Sequence, residues 1–174
     1  MPQVILIGPP GAGKSSVGKA LGQRLSTSFA DTDALIEKQS GLRVSEIFLD
    51  KGEPFFRELE REVVLRELAS FDGVLALGGG AVMNSEVEDA LRQSSGPICF
   101  LDVSLSSAAP RIGFNRDRPL LVGNPRAKWQ ELMNIRRPIY EALATLTVST
   151  DSRTPSHIAQ EIAEILSRSK EVNS

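Results

Sequence analysis

The sequence predicts an α/β domain in which a parallel sheet lies between two layers of helices, a three-layer arrangement. Short apolar segments recur along the chain, and segments with the spacing of amphipathic helices separate them. Most of the apolar segments are continuous runs, which indicates strands that are buried on both faces, as in parallel sheets. The ligand site of such a sheet is expected at the carboxyl ends of its strands.

The first predicted elements are a strand, a loop and a helix. Residues 3–7 form a short run of β-branched residues and leucine that ends at a glycine. Within residues 14–25, "KSSVGKALGQRL", Val17, Leu21 and Leu25 recur every four residues and therefore share one face of a helix.

The remaining elements continue this alternation. The second strand is predicted to end within "FADTD", residues 29–33, before the helix "DALIEKQSG". Residues 52–71 form a charged amphipathic helix with these inward residues: Phe56, Leu59, Val63 and Leu68. Further strands are predicted at 74–77, 98–102 and 145–150. Residues 113–125 are rich in Gly, Asn, Pro and Arg and are expected to form a mobile loop, and the chain is expected to fray from about Ser169.

The composition of the chain agrees with one globular domain, expected over residues 1–174. With 41% hydrophobic residues, 24% charged residues and a net charge of -2, the chain is unlike a nucleic-acid binder with a large positive field. Cys99 lies in the apolar run "PICFLD" and is predicted to be a buried strand thiol. Since the chain has one cysteine and one histidine, His157, no zinc site is expected.

The first residues indicate where the protein acts. The chain runs from Met1 into "VILIG" without a basic leader, and this apolar run is too short for a signal peptide or a membrane span. We therefore expect a cytoplasmic protein that does not bind a membrane.

The loop "GPPGAGKS" is the most specific motif in the chain. Gly8, Gly13, Lys14 and Ser15 fit the pattern G-x-x-x-x-G-K-[ST] between a predicted strand and a predicted helix. Glycines let successive backbone N–H groups converge on a phosphate, and the helix N-terminus adds its positive dipole. Lys14 is expected to bridge the β- and γ-phosphates of a nucleotide, and the Ser15 hydroxyl to bind magnesium.

A dinucleotide-binding fingerprint is the alternative for the same loop. Gly11 and Gly13 have its first spacing, and Asp31 and Asp33 follow about twenty residues later, where a ribose-binding acid is found. Ser16 stands at the third small position, however, and a lysine inside the turn has no purpose in that motif. The phosphate loop is therefore the favoured interpretation.

The motif "FADTD" provides two carboxylates beside this loop. Asp31 and Asp33, two residues apart on a strand, are expected to point to the same side, toward the phosphate loop. One could serve a metal ion and the other a substrate hydroxyl, and the alternative is that the pair caps the next helix. Asp102, which ends "ICFLD", is another candidate for the magnesium acid, or else a cap of the helix that follows.

Arginines and glycines supply further candidates for binding an anion. Arg57 and Glu60 in "FRELE" are three residues apart on a helix and can pair, either within a site or merely at the surface. The glycine run of "LGGGAV", residues 78–80, ends a strand at a place where the backbone approaches another group closely. Arg118, with Arg116 in the predicted loop, is typical of a lid arginine that meets γ-phosphate charge.

Six motifs together resemble the shikimate kinase family in spelling and order over roughly residues 3–168. They are the phosphate loop, "DTD", "FRELE", "LGGGAV", "RDRPLL" and "RRPIY". The resemblance implies a P-loop fold like that of nucleoside monophosphate kinases, with a five-stranded parallel sheet. It also implies a substrate-binding helical region at about 33–61 and a lid at about 112–124.

The resemblance further implies the reaction and the residues that perform it. ATP and shikimate would give ADP and shikimate 3-phosphate, the fifth step toward chorismate and the aromatic amino acids, with Mg2+ as cofactor and the enzyme as a monomer. The implied catalytic residues are Lys14, Asp33 and Arg118. The implied nucleotide-binding residues are Gly11, Ala12, Gly13, Lys14, Ser15, Ser16, Arg118 and, near the adenine, Arg153. The implied shikimate-binding residues are Asp33, Arg57, Gly78, Gly79, Gly80 and Arg136, and the implied metal-binding residues are Ser15 and Asp31.

The chain departs from the family pattern at two places, and other functions remain as alternatives. Ser16 stands where threonine is common, and Arg137 adjoins the expected Arg136, so either arginine of the pair could face the site. Another small-molecule kinase, for gluconate or a nucleoside monophosphate, is the nearest rival, although two arginines facing a carboxylate favour an anionic acid. A nucleotide-dependent switch protein would leave Arg57 and Arg136 without a role.

Overall fold

A computed structural model describes residues 1–112 and 123–173 of the chain. Its sheet has five strands in the order β2-β3-β1-β4-β5, and every neighbouring pair is parallel. The strands are β1 (Val4–Ile7), β2 (Phe29–Asp31), β3 (Val74–Ala76), β4 (Ile98–Asp102) and β5 (Leu146–Ser149). The predicted α/β fold with a five-stranded parallel sheet is thus confirmed.

Helices cover both faces of this sheet. Within the described ranges they are α1 (Lys14–Arg24), α2 (Thr32–Ser40), α3 (Val44–Lys51), α4 (Glu53–Ser70), α5 (Ser85–Arg92), α6 (Leu105–Ile112), α7 (Pro125–Leu143) and α8 (Pro155–Val172), with a 3₁₀ turn at Ala81–Met83. Helix α1 packs against α8, whereas α5 packs against α4 and α7. These two groups form the outer layers of the fold.

The main core lies on both faces of the central strands. All four residues of β1 are buried, as are the first four of β4, including Cys99 and Phe100. Strands without a solvent face need apolar residues at every position, which explains why these segments are continuous apolar runs. The predicted burial of Cys99 is therefore confirmed.

A second, smaller core lies beneath α2, α3 and α4. It is built from Ile36, Ile47, Phe56 and Val63, all of which are buried. The rings of Phe48 and Phe56 lie 4.8 Å apart and close one side of it. Because this cluster is separate from the main core, the three helices pack largely on one another beside the sheet.

The structure corrects the predicted location of Asp33. Asp31 is the last residue of β2, but Asp33 lies in the first turn of α2, so the two carboxylates do not share a strand. The Asp31 carboxylate accepts hydrogen bonds from the backbone N–H groups of Asp33, at 2.9 Å, and Ala34, at 3.3 Å. This cap turns the chain from extended to helical directly after Asp31.

The predicted lid lies mostly outside the described residues, between helices α6 and α7. Helix α6 ends at Ile112 and α7 begins at Pro125, while Arg116, Arg118 and most of the lid predicted at 112–124 fall outside the described residues. Helix α8 extends to Val172, and the fraying expected from about Ser169 stays a prediction. Among the described residues, no helix has the length and apolar character needed to cross a membrane.

Candidate active site

The loop between β1 and α1 presents a helix N-terminus at the carboxyl edge of the sheet. Gly13 precedes α1 with a φ of 84° and a ψ of 24°, a left-handed conformation that glycine adopts without strain. No described side chain caps α1, and its first turn contains no acid. The backbone N–H groups at the start of α1 therefore face outward with the positive dipole end, as a phosphate site requires.

Lys14 and Ser15 lie at the mouth of this loop. The ammonium group of Lys14 donates to the carbonyl oxygens of Gly8, at 2.6 Å, and Pro9, at 3.0 Å. The hydroxyl of Ser15 donates to the Asp31 carboxylate. One cation, one hydroxyl and one carboxylate are thus held together beside the helix N-terminus.

A cavity of about 340 Å3 joins this loop to the aspartates and to the glycine run. It is lined by Pro10, Gly11, Gly13, Lys14, Ser15, Ser16, Asp31, Asp33, Leu77, Gly78, Gly79 and Arg111. Residues from three strand ends, those of β1, β2 and β3, meet here, as expected for the carboxyl edge of a parallel sheet. Ala12 is buried outside the cavity, where its N–H donates to the Pro9 carbonyl at 3.2 Å.

Two arginines converge on the far end of the glycine run. A methyl group placed on Gly80 would lie only 2.6 Å from Arg57 Nη1 and 2.9 Å from Arg136 Nη2. The missing side chain therefore lets both guanidinium groups reach the same point. Two planar cations at one point form a site that suits a carboxylate.

Glu60 partly balances these charges. Its carboxylate accepts from Arg57 Nη1 at 2.7 Å, and its side chain is only 4% exposed. The alternative of a mere surface ion pair is therefore wrong. Burial raises the pKa of Glu60 above its ordinary value, although the charges of Arg57 and Arg136 oppose this change. Glu53 pairs with the same guanidinium group, its carboxylate 3.3 Å from Arg57 Nε, so two glutamates offset the charge of the two arginines.

The structure decides which arginine of the adjacent pair lies with Arg57. Arg136 is 5% exposed and lies against Gly79 and Gly80. Arg137 points away, and its two terminal nitrogens donate to the Asp102 carboxylate at 3.1 and 2.8 Å. The suggestion that Asp102 caps α6 is wrong, because Ser104 Oγ accepts the N–H of Ser107 at the start of that helix.

Arg153, predicted to lie near an adenine, is found beyond the cavity. Its guanidinium group donates to the Ser149 carbonyl at 2.9 Å and pairs with Glu161. Both contacts lie between the end of β5 and helix α8. Arg118, which the sequence also indicated, falls outside the described residues.

Four residues of the site carried no predicted role. Arg111 lines the cavity and donates to the Gly11 carbonyl at 2.8 Å, while Thr32 Oγ1 accepts the N–H of Gly78 at 3.2 Å. Trp129 and Tyr140, both on α7, donate to the carbonyls of two loops. Thr32 and Tyr140 lie within the motifs "DTD" and "RRPIY", so a role in the site could have been inferred from the neighbouring site residues.

The family model described as shikimate kinase matches residues 10–167. The chain belongs to the shikimate kinase family. The resemblance on the six sequence motifs is thereby confirmed, and with it the assignment of the chain to a family of kinases.

Individual shikimate kinases resemble the chain over nearly its whole length. The enzyme of Thermobifida fusca (strain YX) is 50% identical over 165 residues, 95% of this chain and 95% of that protein. The enzyme of Salinispora arenicola (strain CNS-205) is 49% identical over 165 residues, 95% of this chain and 98% of that protein. A solved shikimate kinase from Acinetobacter baumannii, in complex with shikimate, superposes with a TM-score of 0.93 at 34% identity, covering 98% of this chain and 95% of that one.

Proposed function

We propose that the protein transfers the γ-phosphoryl group of ATP to the 3-hydroxyl group of shikimate, giving shikimate 3-phosphate and ADP. This is the fifth step of the shikimate pathway to chorismate and the aromatic amino acids. The observation that carries the proposal is the convergence of Arg57 and Arg136 on Gly80, beside a cavity that opens on the phosphate loop. The shikimate bound in a relative of such similar structure supports the choice of acid.

The donor half of the proposed site is the phosphate loop. Backbone N–H groups at the start of α1 would hold the β-phosphate, and Lys14 would follow the charge on the transferred phosphoryl group. The same loop residues carry the nucleotide: Gly11, Ala12, Gly13, Lys14, Ser15 and Ser16. Arg118 is proposed to meet γ-phosphate charge, and Arg153 to lie near the adenine.

Ser15 and Asp31 fit a magnesium ion held together with a nucleotide. Magnesium prefers oxygen ligands and is usually bound by one or two carboxylates, water and substrate phosphates. The Ser15 hydroxyl and the Asp31 carboxylate are such oxygens, and they touch each other at the cavity wall. When bound, the ion would neutralise charge on the β- and γ-phosphate oxygens.

The acceptor half lies at the glycine run. The shikimate carboxylate would be gripped by Arg57 and Arg136, beside the backbone of Gly78, Gly79 and Gly80. The absence of side chains in this run lets the carboxylates of Asp33 and Glu60 approach Gly78 and both guanidinium groups approach Gly80. Asp33 lines the cavity together with Lys14 of the phosphate loop and with Gly78 and Gly79 of the glycine run. Its carboxylate is thereby suited to hold the shikimate hydroxyls.

The reaction itself is an in-line displacement. The shikimate hydroxyl oxygen bonds to the γ-phosphorus while the bond from that phosphorus to the β,γ-bridging oxygen breaks and ADP leaves. Because the transition state is loose, positioning and charge neutralisation account for most of the rate enhancement. Asp33 orients the attacking hydroxyl and accepts its proton.

The proposed function also suggests how the domain is organised and where the enzyme acts. We propose that residues 1–174 form a single kinase domain in which the region at about 33–61 binds the acceptor, while the lid expected at about 112–124 lies mostly outside the described residues. The second hydrophobic core gives the acceptor region packing of its own. We propose that the enzyme is a monomer and that it acts in the cytoplasm, where ATP and the acid substrate are both available.

Acceptor specificity tests the proposal. The purified protein with ATP and Mg2+ should release ADP when shikimate is added, and should release little with gluconate or nucleoside monophosphates. The methyl ester of shikimate, which lacks the negative charge, should show a KM at least about tenfold higher because it loses the arginine contacts. Phosphorylation of gluconate or a nucleotide in preference to shikimate would overturn the assignment, and acceptor-independent release of ADP would indicate an ATPase.

A further inference from the structure

Helix α7 touches both halves of the candidate active site. Near its start, the indole Nε1 of Trp129 donates to the carbonyl oxygen of Pro10 in the phosphate loop at 2.8 Å. About three helical turns later, the hydroxyl of Tyr140 donates to the carbonyl oxygen of Gly79 in the glycine run at 2.5 Å. One helix therefore holds a backbone carbonyl of the donor loop and another of the acceptor loop.

Both donors are buried, so neither can exchange its partner for water. Trp129 is 2% exposed and Tyr140 is 0% exposed. Burial raises the pKa of Tyr140 to about 12, so its hydroxyl remains a protonated donor at neutral pH. Removing such a donor takes away the protein partner that fixes the carbonyl, and the acceptor's loop is then free to shift.

Packing fixes the position of the Tyr140 hydroxyl. The Tyr140 ring stacks on Phe100 of β4 with the ring centroids 5.1 Å apart. Arg136 lies one turn earlier on the same face of α7. A methyl group on Gly79 would lie 3.4 Å from Arg136 Nη1, so the carbonyl held by Tyr140 belongs to the residue against which that guanidinium packs.

The two held loops also touch each other. The same methyl group on Gly79 would lie 3.1 Å from Pro10 Cδ and 3.4 Å from the Gly8 carbonyl oxygen. The distance between the donor and acceptor loops at this contact therefore depends on how α7 holds each of them. In-line transfer between two bound substrates is sensitive to displacements of this kind.

We propose that Tyr140 and Trp129 are positioning residues, Tyr140 for the acceptor-binding glycine run and Trp129 for the nucleotide-binding phosphate loop. The inference rests on the proposed function and deepens it, since it assigns each substrate a separate anchor on one helix. Neither residue touches the reacting atoms. Trp129 acts through the Pro10 carbonyl, and Tyr140 acts through the Gly79 carbonyl and through Arg136, with which its hydroxyl also forms a hydrogen bond.

The variants Tyr140→Phe and Trp129→Phe test this division and serve as controls for each other. Each removes the polar group of α7 that donates to one loop carbonyl and keeps an aromatic ring in place. Tyr140→Phe should raise the KM for shikimate roughly five- to thirtyfold and change the KM for ATP by less than about twofold. Trp129→Phe should do the reverse. Calorimetric dissociation constants for shikimate and ADP should follow the same split.

A structural role alone predicts a different result. The inference is overturned if a variant unfolds at lower denaturant concentration but keeps both KM values, or if each variant raises both values equally. If Trp129→Phe does not fold, Tyr140→Phe decides, because the phenylalanine ring keeps the stack on Phe100. If the wild-type protein does not phosphorylate shikimate, the proposed function fails, and ADP binding, weakened in Trp129→Phe but not in Tyr140→Phe, then tests the anchors separately.

Discussion

Gly80 shows at the level of one residue how an absent side chain shapes the site. The position that a methyl group would occupy lies 2.6 and 2.7 Å from the terminal nitrogens of Arg57. Those atoms end a flexible side chain, so they can move aside at little cost to the fold. They cannot do so and still meet Arg136 at the same point. Glycine is therefore required here by the site more than by stability.

Replacing Gly80 by alanine should separate these two effects. Gly80→Ala should raise the KM for shikimate by about tenfold, because the guanidinium groups are displaced, and change the unfolding free energy by less than about 1 kcal/mol. Steady-state kinetics and urea unfolding measure the two quantities. Gly96→Ala is the matched control, since its methyl group would lie 2.4 Å from the Pro2 carbonyl oxygen. It should lose stability and keep its KM, and the reverse pattern would refute the account.

Cys99 shows how the burial of one side chain makes the stability of the fold depend on pH. Burial in β4 raises the pKa of its thiol from 9.0 to about 12. Below pH 9 both the folded and the unfolded chain keep the proton. Between pH 9 and 12 the unfolded chain releases it while the folded chain retains it, so stability falls as the pH rises.

The alkaline loss of stability should therefore depend on this thiol. Between pH 9 and 10 Cys99 should contribute a decrease in unfolding free energy that approaches about 1.4 kcal/mol per pH unit as the unfolded thiol ionises. Urea unfolding at pH 8, 9 and 10 measures the slope for the wild type and for Cys99→Ala. The alanine variant should start from a lower stability but decline less steeply. Equal slopes in the two proteins would show that the thiol does not ionise differently on unfolding.

At the level of elements, the start of α2 combines a structural and a chemical task in one residue. One carboxylate oxygen of Asp31 caps the helix by accepting from the N–H groups of Asp33 and Ala34. The other accepts from the Ser15 hydroxyl at the start of α1. The two interpretations that the sequence left open, a cap and a metal acid, are therefore compatible.

Two substitutions of Asp31 can separate the tasks. Asp31→Asn keeps an oxygen for the cap and should retain stability within about 0.5 kcal/mol, whereas Asp31→Ala should lose about 1 kcal/mol. Both should require a higher Mg2+ concentration for half-maximal activity, because the charged oxygen is gone. Thermal unfolding and magnesium titrations of activity check this. A normal magnesium requirement in Asp31→Asn would leave only the cap.

At the level of the whole molecule, the two hydrophobic cores divide the protein into a sheet with its helices and a smaller helical region. Ile47 of α3 is buried in the small core, whereas Ile5 of β1 is buried in the large one. A cluster of a few residues provides less cooperative stability than the main core. We therefore expect the helices between residues 32 and 61 to open more readily than the sheet.

Hydrogen exchange should reveal this division. Ile47→Ala should lower the free energy of local opening in α2, α3 and the start of α4 by roughly 2–4 kcal/mol, so amide hydrogens there should exchange faster. Exchange in β1 and β4 should stay nearly unchanged. Ile5→Ala, an equal truncation in the main core, should accelerate exchange throughout the chain. Uniform acceleration in both variants would mean that the molecule opens as one cooperative unit.

Much of the fold could be predicted because local patterns reflect local burial. Strand β4 occupies residues 98–102 as predicted, and α4 lies within the predicted 52–71, since apolar runs and helical spacing directly report which faces are covered. The site was harder to predict where one residue contacts two partners, as Asp31 does, or where either of two neighbouring residues could enter the site, as with Arg136 and Arg137. Asp33 was placed on a strand because the cap that ends β2 depends on hydrogen bonds that spacing does not reveal.

The sequence by itself determined the α/β class, the phosphate loop and the family, because these depend on contiguous residues whose types and spacing are visible in the chain. The tertiary structure alone decided that Arg136 rather than Arg137 meets Arg57, and that Tyr140 reaches Gly79. Adjacent helical side chains diverge by about 100°. Which of them enters the site is therefore set by how α7 packs on strands that are distant in sequence.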